Sequence, residues 1–161
     1  MNAVLRDEPL LVPLLVADLD RVMAIETAAY PFPWTRGNFV DSLAAGYPAR
    51  LLLTRARAIG YFIAMEGVDE MHLLNLTVAP AEQGRGHGQR MLDELVALCR
   101  VRGLRQLWLE VRESNARARA LYLRYGFRHV GLRRGYYPAA KGREDAAVMS
   151  LDLAGGDDGL E

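Results

Sequence analysis

The sequence predicts an α/β fold, a mixed sheet with an antiparallel N-terminal part and flanking helices. Apolar residues recur at three- and four-residue steps over residues 91–99, which is typical of an amphipathic helix. Apolar and polar or aromatic residues alternate over residues 106–112, as on a half-buried strand. Three β-rich segments follow one another over residues 50–78 without a helix between them, which favours a meander.

The N-terminal part of the chain is predicted to form one strand and two helices. An apolar run over residues 10–15 suits a short strand. A helix is expected from Asp18, and it should stop at Pro31 because proline cannot continue a helix. Thr35 can cap a second helix that runs to about Gly46.

The middle of the chain is predicted to change from strands to a helix and back. Residues 50–54 and 59–65 are predicted strands joined by a turn at 56–58, and an acidic turn at 66–70 precedes a third strand at 71–78. A helix should start near Gly88 and end near Gly103. The strand at 106–112 follows it.

The C-terminal part should add a helix and two strands. Ser114 and Asn115 are good cap residues for a helix over residues 116–125, which Gly126 should terminate. Strands are expected near residues 128–132 and 147–153. The order is therefore β-α-α-β-β-β-α-β-α-β-β, in one domain over residues 1–154 with a disordered acidic tail at 155–161.

Composition indicates the class of protein. The chain has 161 residues, 51% hydrophobic and 25% charged, which suits one globular domain with a sizeable core. Cys99 is the only cysteine, so no intrachain disulfide is possible and a cytoplasmic location is expected. The apolar run at residues 10–17 is far shorter than the ~20 residues of a membrane helix, and the N-terminus does not resemble a signal peptide, so no membrane partner is expected. The three histidines lack ligand spacing with Cys99, so no metal site is expected.

Charge is distributed unevenly despite a formal net charge of zero. Residues 100–143 hold twelve basic and two acidic side chains, whereas residues 144–161 hold six acidic and no basic ones. Either an anion binds the middle stretch, or these charges form a solvated helix face and an acidic tail. Direct nucleic-acid binding is not expected, because such proteins are normally more basic overall.

A glycine-rich segment lies between the strand that ends at Val78 and the following helix. It runs through Gln83, Gly84, Arg85, Gly86, His87 and Gly88. Backbone N–H groups of such a loop can approach a diphosphate closely, and the helix N-terminus adds a partial positive charge. The alternative is a flexible turn, although a plain turn rarely needs three glycines in five positions. The dinucleotide fingerprint G-x-G-x-x-G and the Walker pattern are both absent here.

The pattern Q/R-x-x-G-x-G/A, filled by Gln83, Gly86 and Gly88, resembles the GNAT superfamily of acetyl-coenzyme A-dependent N-acetyltransferases. Further segments resemble the RimI family of bacterial ribosomal-protein-alanine acetyltransferases within it. They are Pro33-Trp34-Thr35, residues 76–80, residues 108–112, Ser114-Asn115, residues 120–122, Gly126-Phe127, residues 136–138 and residues 144–146. The resemblance does not reach the N-terminus or the acidic tail.

The resemblance implies a GNAT-like sheet whose central parallel strand pair splays around the coenzyme, with acetyl-CoA as cosubstrate and no metal. The residues implied to bind the coenzyme are Leu76, Thr77, Val78, Gln83, Gly84, Arg85, Gly86, His87, Gly88, Gln89 and Asn115. Glu110 is the implied general base and Tyr122 the implied general acid. Gly84 departs from the pattern, because relatives often carry arginine there.

The chemistry of acetyl transfer is consistent with these roles. An α-amine has a pKa of ~8 and a lysine ~10.4, so the nucleophile must lose a proton near neutral pH. A free carboxylate at ~4.3 is a weak base for this step, so burial of Glu110 beside Trp108, or a relaying water, is expected to assist. Tyrosine at ~10 can protonate a thiolate at ~8.5 at a cost of about 2 kcal/mol. Taken singly, Glu110 could instead pair with Arg112 or Arg105, Tyr122 could be a packing residue, and Asn115 a helix cap.

Direct transfer in a ternary complex is the leading hypothesis, and the resemblance implies that the acceptor is the N-terminal alanine of a small-subunit ribosomal protein. Cys99 lies on an apolar helix face and is interpreted as structural. Residues 33–34 and 136–138 are expected to flank the peptide groove, and the acidic turn at 66–70 either attracts a basic peptide or is simply solvated. Two alternatives stay open: a broader N-terminal or lysine acetyltransferase, and a non-catalytic coenzyme A sensor.

Overall fold

The structure is a computed structural model that describes residues 8–153. Over this range the chain forms seven strands and four α-helices in the predicted order. They are β1 Leu10–Pro13, α1 Leu19–Ala29, α2 Arg36–Ala44, β2 Ala49–Thr54, β3 Arg57–Glu66, β4 Glu70–Val78, α3 His87–Val101, β5 Gln106–Arg112, α4 Ala116–Tyr125, β6 Arg128–Pro138 and β7 Arg143–Asp152. The predicted tail at 155–161, and the domain limit at 154, lie outside the described residues.

The strands form a mixed sheet, as predicted, in the order β1-β2-β3-β4-β5-β7-β6. β1, β2 and β3 pair antiparallel in chain order, while β7 pairs antiparallel with both β5 and β6. The central pair, β4 with β5, is parallel and runs from Glu70 opposite Gln106 to Leu73 opposite Leu109. Both strands continue past that register, β4 to Val78 and β5 to Arg112.

The described chain forms two compact units, each with buried apolar side chains. The first unit covers residues 8–63 and 75–87, and the second covers 64–74 and 88–153. Fully buried residues of the first unit include Leu19, Val22, Phe39, Leu51, Tyr61 and Phe62. Those of the second include Met71, Met91, Leu92, Leu95, Cys99 and Leu107. The α3 residues among them are those that its three- and four-residue periodicity predicts to be buried.

The last hairpin is longer than predicted. The strands expected near 128–132 and 147–153 extend to Pro138 in β6 and back to Arg143 in β7. The register shifts between Arg133 and Tyr137, and Gly135 there has φ of +58°. A bulge of this kind interrupts the two-residue alternation that identifies a strand in sequence, so the distal half of the hairpin was not recognised.

The start of the first helix agrees with prediction, and the start of β3 differs from it. Asp18 is the N-cap of α1; it also ends a short 3-10 turn and accepts a hydrogen bond from the N–H of Leu15 at 2.8 Å. The turn between β2 and β3 uses Arg55 and Ala56, with φ of +49° and +66°, so β3 begins two residues before Ile59. This left-handed pair matches the twist of the strands that it joins.

Candidate active site

The glycine-rich segment contains two glycines that the backbone conformation requires. Gly84 has φ of +81° and Gly86 has φ of +84°, a region that costs other residues about 1–2 kcal/mol. A Cβ built on Gly86 would meet no atom within 4 Å. The need for glycine at position 86 therefore comes from the backbone angle and not from crowding by the protein.

Gly88 serves a different purpose. It lies in the first turn of α3, and a Cβ built there would be 2.8 Å from Cδ2 of Leu121 in α4, within the second unit. The missing side chain allows α3 and α4 to approach each other closely at this point. The regular spacing of the glycines therefore has two physical causes, which the sequence pattern does not separate.

Polar side chains of the first unit surround the start of this segment. The side-chain amide of Gln83 donates to the carbonyl of Val78 at 3.1 Å, which ties the loop to the end of β4. Glu82 is buried, and its carboxylate pairs with Arg57 at 3.1 Å and with Arg85 at 3.2 Å. The Nε2 of His87 lies 3.9 Å from the same carboxylate. Glu82 was not predicted from the sequence to be part of this segment's surroundings. Its three-residue spacing from Arg85, which permits an ion pair, is the sequence signal that points to it.

The end of β4 alternates between buried and half-buried side chains. Thr77 is buried and its hydroxyl donates to Oδ1 of Asn75 at 2.7 Å, whereas Leu76 and Val78 are half-buried. The hydroxyl of Tyr30 lies 2.7 Å from Oγ1 of Thr77, and burial raises the pKa of Tyr30 to about 12. Thr77 thus belongs to a polar network inside the first unit.

Glu26 of α1 is the acidic member of that network. Its side chain is 2% exposed, and Oε1 accepts hydrogen bonds from the hydroxyl of Tyr61 at 2.6 Å and the amide of Asn75 at 3.1 Å. Oε2 accepts the backbone N–H of Trp34 at 2.9 Å. Burial, followed by the charge of Glu26, raises the pKa of Tyr61, so this hydroxyl remains a donor. Glu26 continues the apolar periodicity of α1, which was a sequence signal for its burial.

Glu110 lies on β5 in the second unit, and its side chain is 6% exposed. Its Oε1 is 2.6 Å from Nε2 of His72, and its Oε2 is 3.3 Å from Nε of Arg133. Of the alternative partners that the sequence suggests for Glu110, Arg112 pairs with Glu144 at 3.0 Å, and the backbone N–H of Arg105 donates to the carbonyl of Asp69. The pairing of β4 with β5 and the hairpin of β6 and β7 supply the observed partners.

Trp108 orders the side chains next to Glu110. Its indole stacks on the imidazole of His72, with ring centroids 3.7 Å apart and an interplanar angle of 8°. The indole N–H donates to Oε2 of Glu70 at 2.6 Å. His72 and Trp108 are direct neighbours in the parallel register, and Glu110 is two residues along the same face. His72 was not predicted to join the site, and only strand pairing identifies it.

Asn115 and Tyr122 lie on α4 in the second unit. Oδ1 of Asn115 accepts the N–H of Ala118 at 3.2 Å, so Asn115 is the helix N-cap that the sequence predicts. Tyr122 is buried, with its ring centroid 5.4 Å from that of Phe127. Gln89, in the first turn of α3, is exposed.

The two tyrosines of β6 lie beside charged side chains. The guanidinium of Arg112 lies 4.5 Å from the centre of the Tyr137 ring and donates to the carbonyl of Pro138 at 2.7 Å. Burial, and then the charge of Glu110, raises the pKa of Tyr137. The same two effects raise the pKa of Tyr136, and Arg133 opposes them. Both phenols are therefore protonated near neutral pH.

The described residues hold neither a metal-binding cluster nor a membrane-spanning helix. Among residues 8–153, no group of three or more histidine, cysteine, aspartate or glutamate side chains is placed to hold a metal ion. In the same range, none of the helices is long and apolar enough to cross a membrane.

Comparisons with known proteins agree with the fold and with the motif. The model of the acetyltransferase (GNAT) family matches residues 19–127. The chain is 39% identical over 141 residues to the ribosomal protein bS18-alanine N-acetyltransferase of Salmonella typhimurium strain LT2, covering 88% of this chain and 95% of that protein. It is 38% identical over 137 residues to the protein of the same name from Haemophilus influenzae, covering 84% and 93%.

A solved crystal structure is also similar to this chain over nearly its whole length. The crystal structure of the ribosomal-protein-S18-alanine N-acetyltransferase from Escherichia coli superimposes with a TM-score of 0.85 at 35% sequence identity, covering 96% of this chain and 99% of that one. The family model spans most of the chain, and the relatives are matched over nearly their whole length. The chain therefore belongs to the acetyltransferase (GNAT) family.

Proposed function

We propose that this chain transfers the acetyl group of acetyl-CoA to the α-amine of the N-terminal alanine of ribosomal protein bS18. The observation that carries the proposal is the 39% identity to an enzyme named for that reaction, over 95% of its length. The site of action would be the cytoplasm, where ribosomal proteins are made.

The coenzyme is assigned to the glycine-rich segment and its neighbours. Enzymes of this family use acetyl-CoA. Support comes from the positive φ angles of Gly84 and Gly86 and from the start of the 15-residue helix α3 at His87, where backbone N–H groups favour an anion. The other residues assigned to the coenzyme are Leu76, Thr77, Val78, Gln83, Arg85, Gly88, Gln89 and Asn115.

Glu110 is assigned as general base and Tyr122 as general acid. The amine loses a proton to the Glu110 carboxylate, directly or through water, and its lone pair forms the new N–C bond at the thioester carbon. The C–S bond breaks, and the departing sulfur takes a proton from the Tyr122 hydroxyl. The geometry supports its role, because the Glu110 side chain is only 6% exposed and its two oxygens are positioned by His72 and Arg133.

Direct attack in a ternary complex is favoured over an acyl-enzyme. Cys99 is buried in α3, and burial raises the pKa of its thiol to about 11. Thiolate, the nucleophilic form, is therefore scarce near neutral pH. Cys99 is a packing residue in this proposal.

The acceptor is assigned to the aromatic segments at residues 33–34 and 136–138. The acidic turn at 66–70 contributes less than its sequence suggests, because Glu66 pairs with Arg102 and Glu70 accepts from Trp108. Asp69 is the remaining acidic side chain of that turn, and it is exposed. Charge attraction by this turn is therefore not part of the proposal.

The test is an acetylation assay with the full chain, acetyl-CoA and a peptide that begins with the N-terminal alanine of bS18 and contains a lysine. A matched peptide with a formylated N-terminus is the control. Release of thiol and an acetyl group on the α-amine are expected, with no reaction of the control. Acetyl found only on lysine would indicate a broader lysine acetyltransferase. Coenzyme binding without turnover of either peptide would indicate a non-catalytic sensor.

A further inference from the structure

We propose that His72 is a positioning residue for Glu110: its Nε2–H donates to Oε1 and leaves Oε2 as the oxygen that takes the proton from the amine. This inference rests on the proposed role of Glu110 as base. It starts from the 2.6 Å between Nε2 and Oε1, with both side chains largely removed from water.

A proton must lie between these two atoms. Two lone pairs facing each other at 2.6 Å would repel, so either the imidazole donates to a carboxylate or a protonated carboxyl donates to the imidazole. A protonated carboxyl cannot accept the proton of the amine. The form that is competent for catalysis is therefore the one in which His72 carries the proton on Nε2.

The imidazole is held in the orientation that this hydrogen bond needs. It stacks on Trp108 at 3.7 Å, and the indole is itself tied to Glu70. Tilting of the His72 ring would break the stack, so the ring plane is fixed before the hydrogen bond to Glu110 forms. A carboxylate oriented in advance is an advantage for proton transfer, which depends strongly on geometry.

The two oxygens of Glu110 have different partners. Oε1 faces the half-buried His72, whereas Oε2 faces Arg133, whose side chain is 50% exposed. Ion pairs with exposed arginine are weak and exchange readily with water, so Oε2 is the oxygen that can be released to an incoming amine. The charged and titratable groups around the pair are Glu70 on β4, and Arg133, Tyr136 and Tyr137 on β6.

The kinetic test uses His72→Phe, which keeps an aromatic ring against Trp108 and removes the donor, and His72→Gln, whose amide can replace the Nε2–H. His129→Phe is the matched control because His129 is exposed. We expect His72→Phe to lower kcat roughly 10-fold or more, the effect of losing a hydrogen bond to a charged group, with the KM for acetyl-CoA nearly unchanged. His72→Gln should recover part of kcat, and His129→Phe should match wild type.

A spectroscopic test does not depend on activity. In the ¹⁵N-labelled chain, long-range ¹H–¹⁵N correlations report which ring nitrogen of each histidine carries a proton. The signals of His72 are identified as those that disappear in His72→Gln. We expect Nε2 to be protonated at neutral pH. Protonation at Nδ1 alone would place the shared proton on Glu110 and overturn the inference.

The outcomes separate this inference from the role of Glu110. Loss of rate in Glu110→Gln together with wild-type kcat in His72→Phe would overturn the positioning role and leave the base assignment intact. Wild-type rate in Glu110→Gln would overturn the base assignment and the inference with it. Thermal unfolding shows whether His72→Phe is folded. If it is not, His72→Gln and the smaller His72→Ala are tested instead. Wild-type kcat and an unchanged pH profile in both of these variants would overturn the positioning role.

Discussion

The hydroxyl of Tyr61 lies 2.6 Å from Oε1 of Glu26, and both side chains are buried in the first unit. A buried carboxylate is tolerated only when hydrogen bonds replace its hydration. Glu26 receives three such bonds, from Tyr61, Asn75 and the backbone N–H of Trp34. The network therefore links α1 to β3, β4 and the segment that precedes α2.

Tyr61→Phe should destabilise the chain by about 1.5–3 kcal/mol, because it removes one hydrogen bond from a charged acceptor and leaves the volume almost unchanged. Urea unfolding followed by circular dichroism measures the difference. Tyr47→Phe deletes the same hydroxyl from a half-buried tyrosine and should change stability much less. Equal effects of the two substitutions would show that the network adds nothing to stability.

Gly86→Val should weaken the binding of acetyl-CoA by at least about tenfold, because a branched side chain at a φ of +84° disturbs the loop and blocks close approach to its backbone. Isothermal calorimetry with acetyl-CoA measures the affinity. Gly142→Val is the matched control, since Gly142 has φ of +71° and is also free of neighbouring atoms within 4 Å, but lies between β6 and β7. Unchanged affinity in Gly86→Val would reject the assignment of this loop to the coenzyme.

Glu110→Gln and Tyr122→Phe should each lower turnover on the order of 10²-fold near neutral pH, a common size for general acid or base catalysis. The pH profiles should differ in shape. Glu110→Gln should recover as pH rises past ~8, because the amine then arrives already deprotonated. Tyr122→Phe should not recover, since the departing sulfur still lacks a proton donor. Initial rates at saturating acetyl-CoA between pH 6 and 9, a range that brackets ~8, measure both profiles. Wild-type rates for both variants across this pH range would contradict the roles of Glu110 as base and Tyr122 as acid.

Glu144→Gln should lower stability at neutral pH and have less effect in acid. Hydrogen bonds from Ser114, and then the guanidinium of Arg112, hold the pKa of Glu144 below its ordinary value. A depressed pKa in the folded state stabilises the fold above the unfolded value of ~4.3, and that contribution is lost as pH falls through the folded value. Because the group is near the surface, the difference at pH ~7 should not exceed about 1 kcal/mol.

Urea unfolding of wild type and variant at several pH values measures this difference. Glu113→Gln, at an exposed glutamate, is the control and should change stability little. A gap between Glu144→Gln and wild type that widens in acid would contradict the direction of the pKa shift.

The parts of the fold that the sequence predicted well are those with strong local periodicity. The buried face of α3 follows from residue spacing alone, and the N-caps Thr35 and Asn115 follow from short side chains that accept backbone N–H groups. The distal half of the β6–β7 hairpin was missed. A bulge near Gly135 removes the alternation that identifies a strand.

For the candidate site, the sequence by itself determined the family, the glycine-rich loop and the presence of Glu110 and Tyr122, because these features lie in short contiguous motifs. Only the tertiary structure decided the partners of Glu110. His72 is 38 residues away from Glu110 in sequence and contacts it because β4 pairs in parallel with β5. Arg133, the second partner of Glu110, lies on β6. Such contacts depend on the register between distant strands, which local residue preferences do not encode.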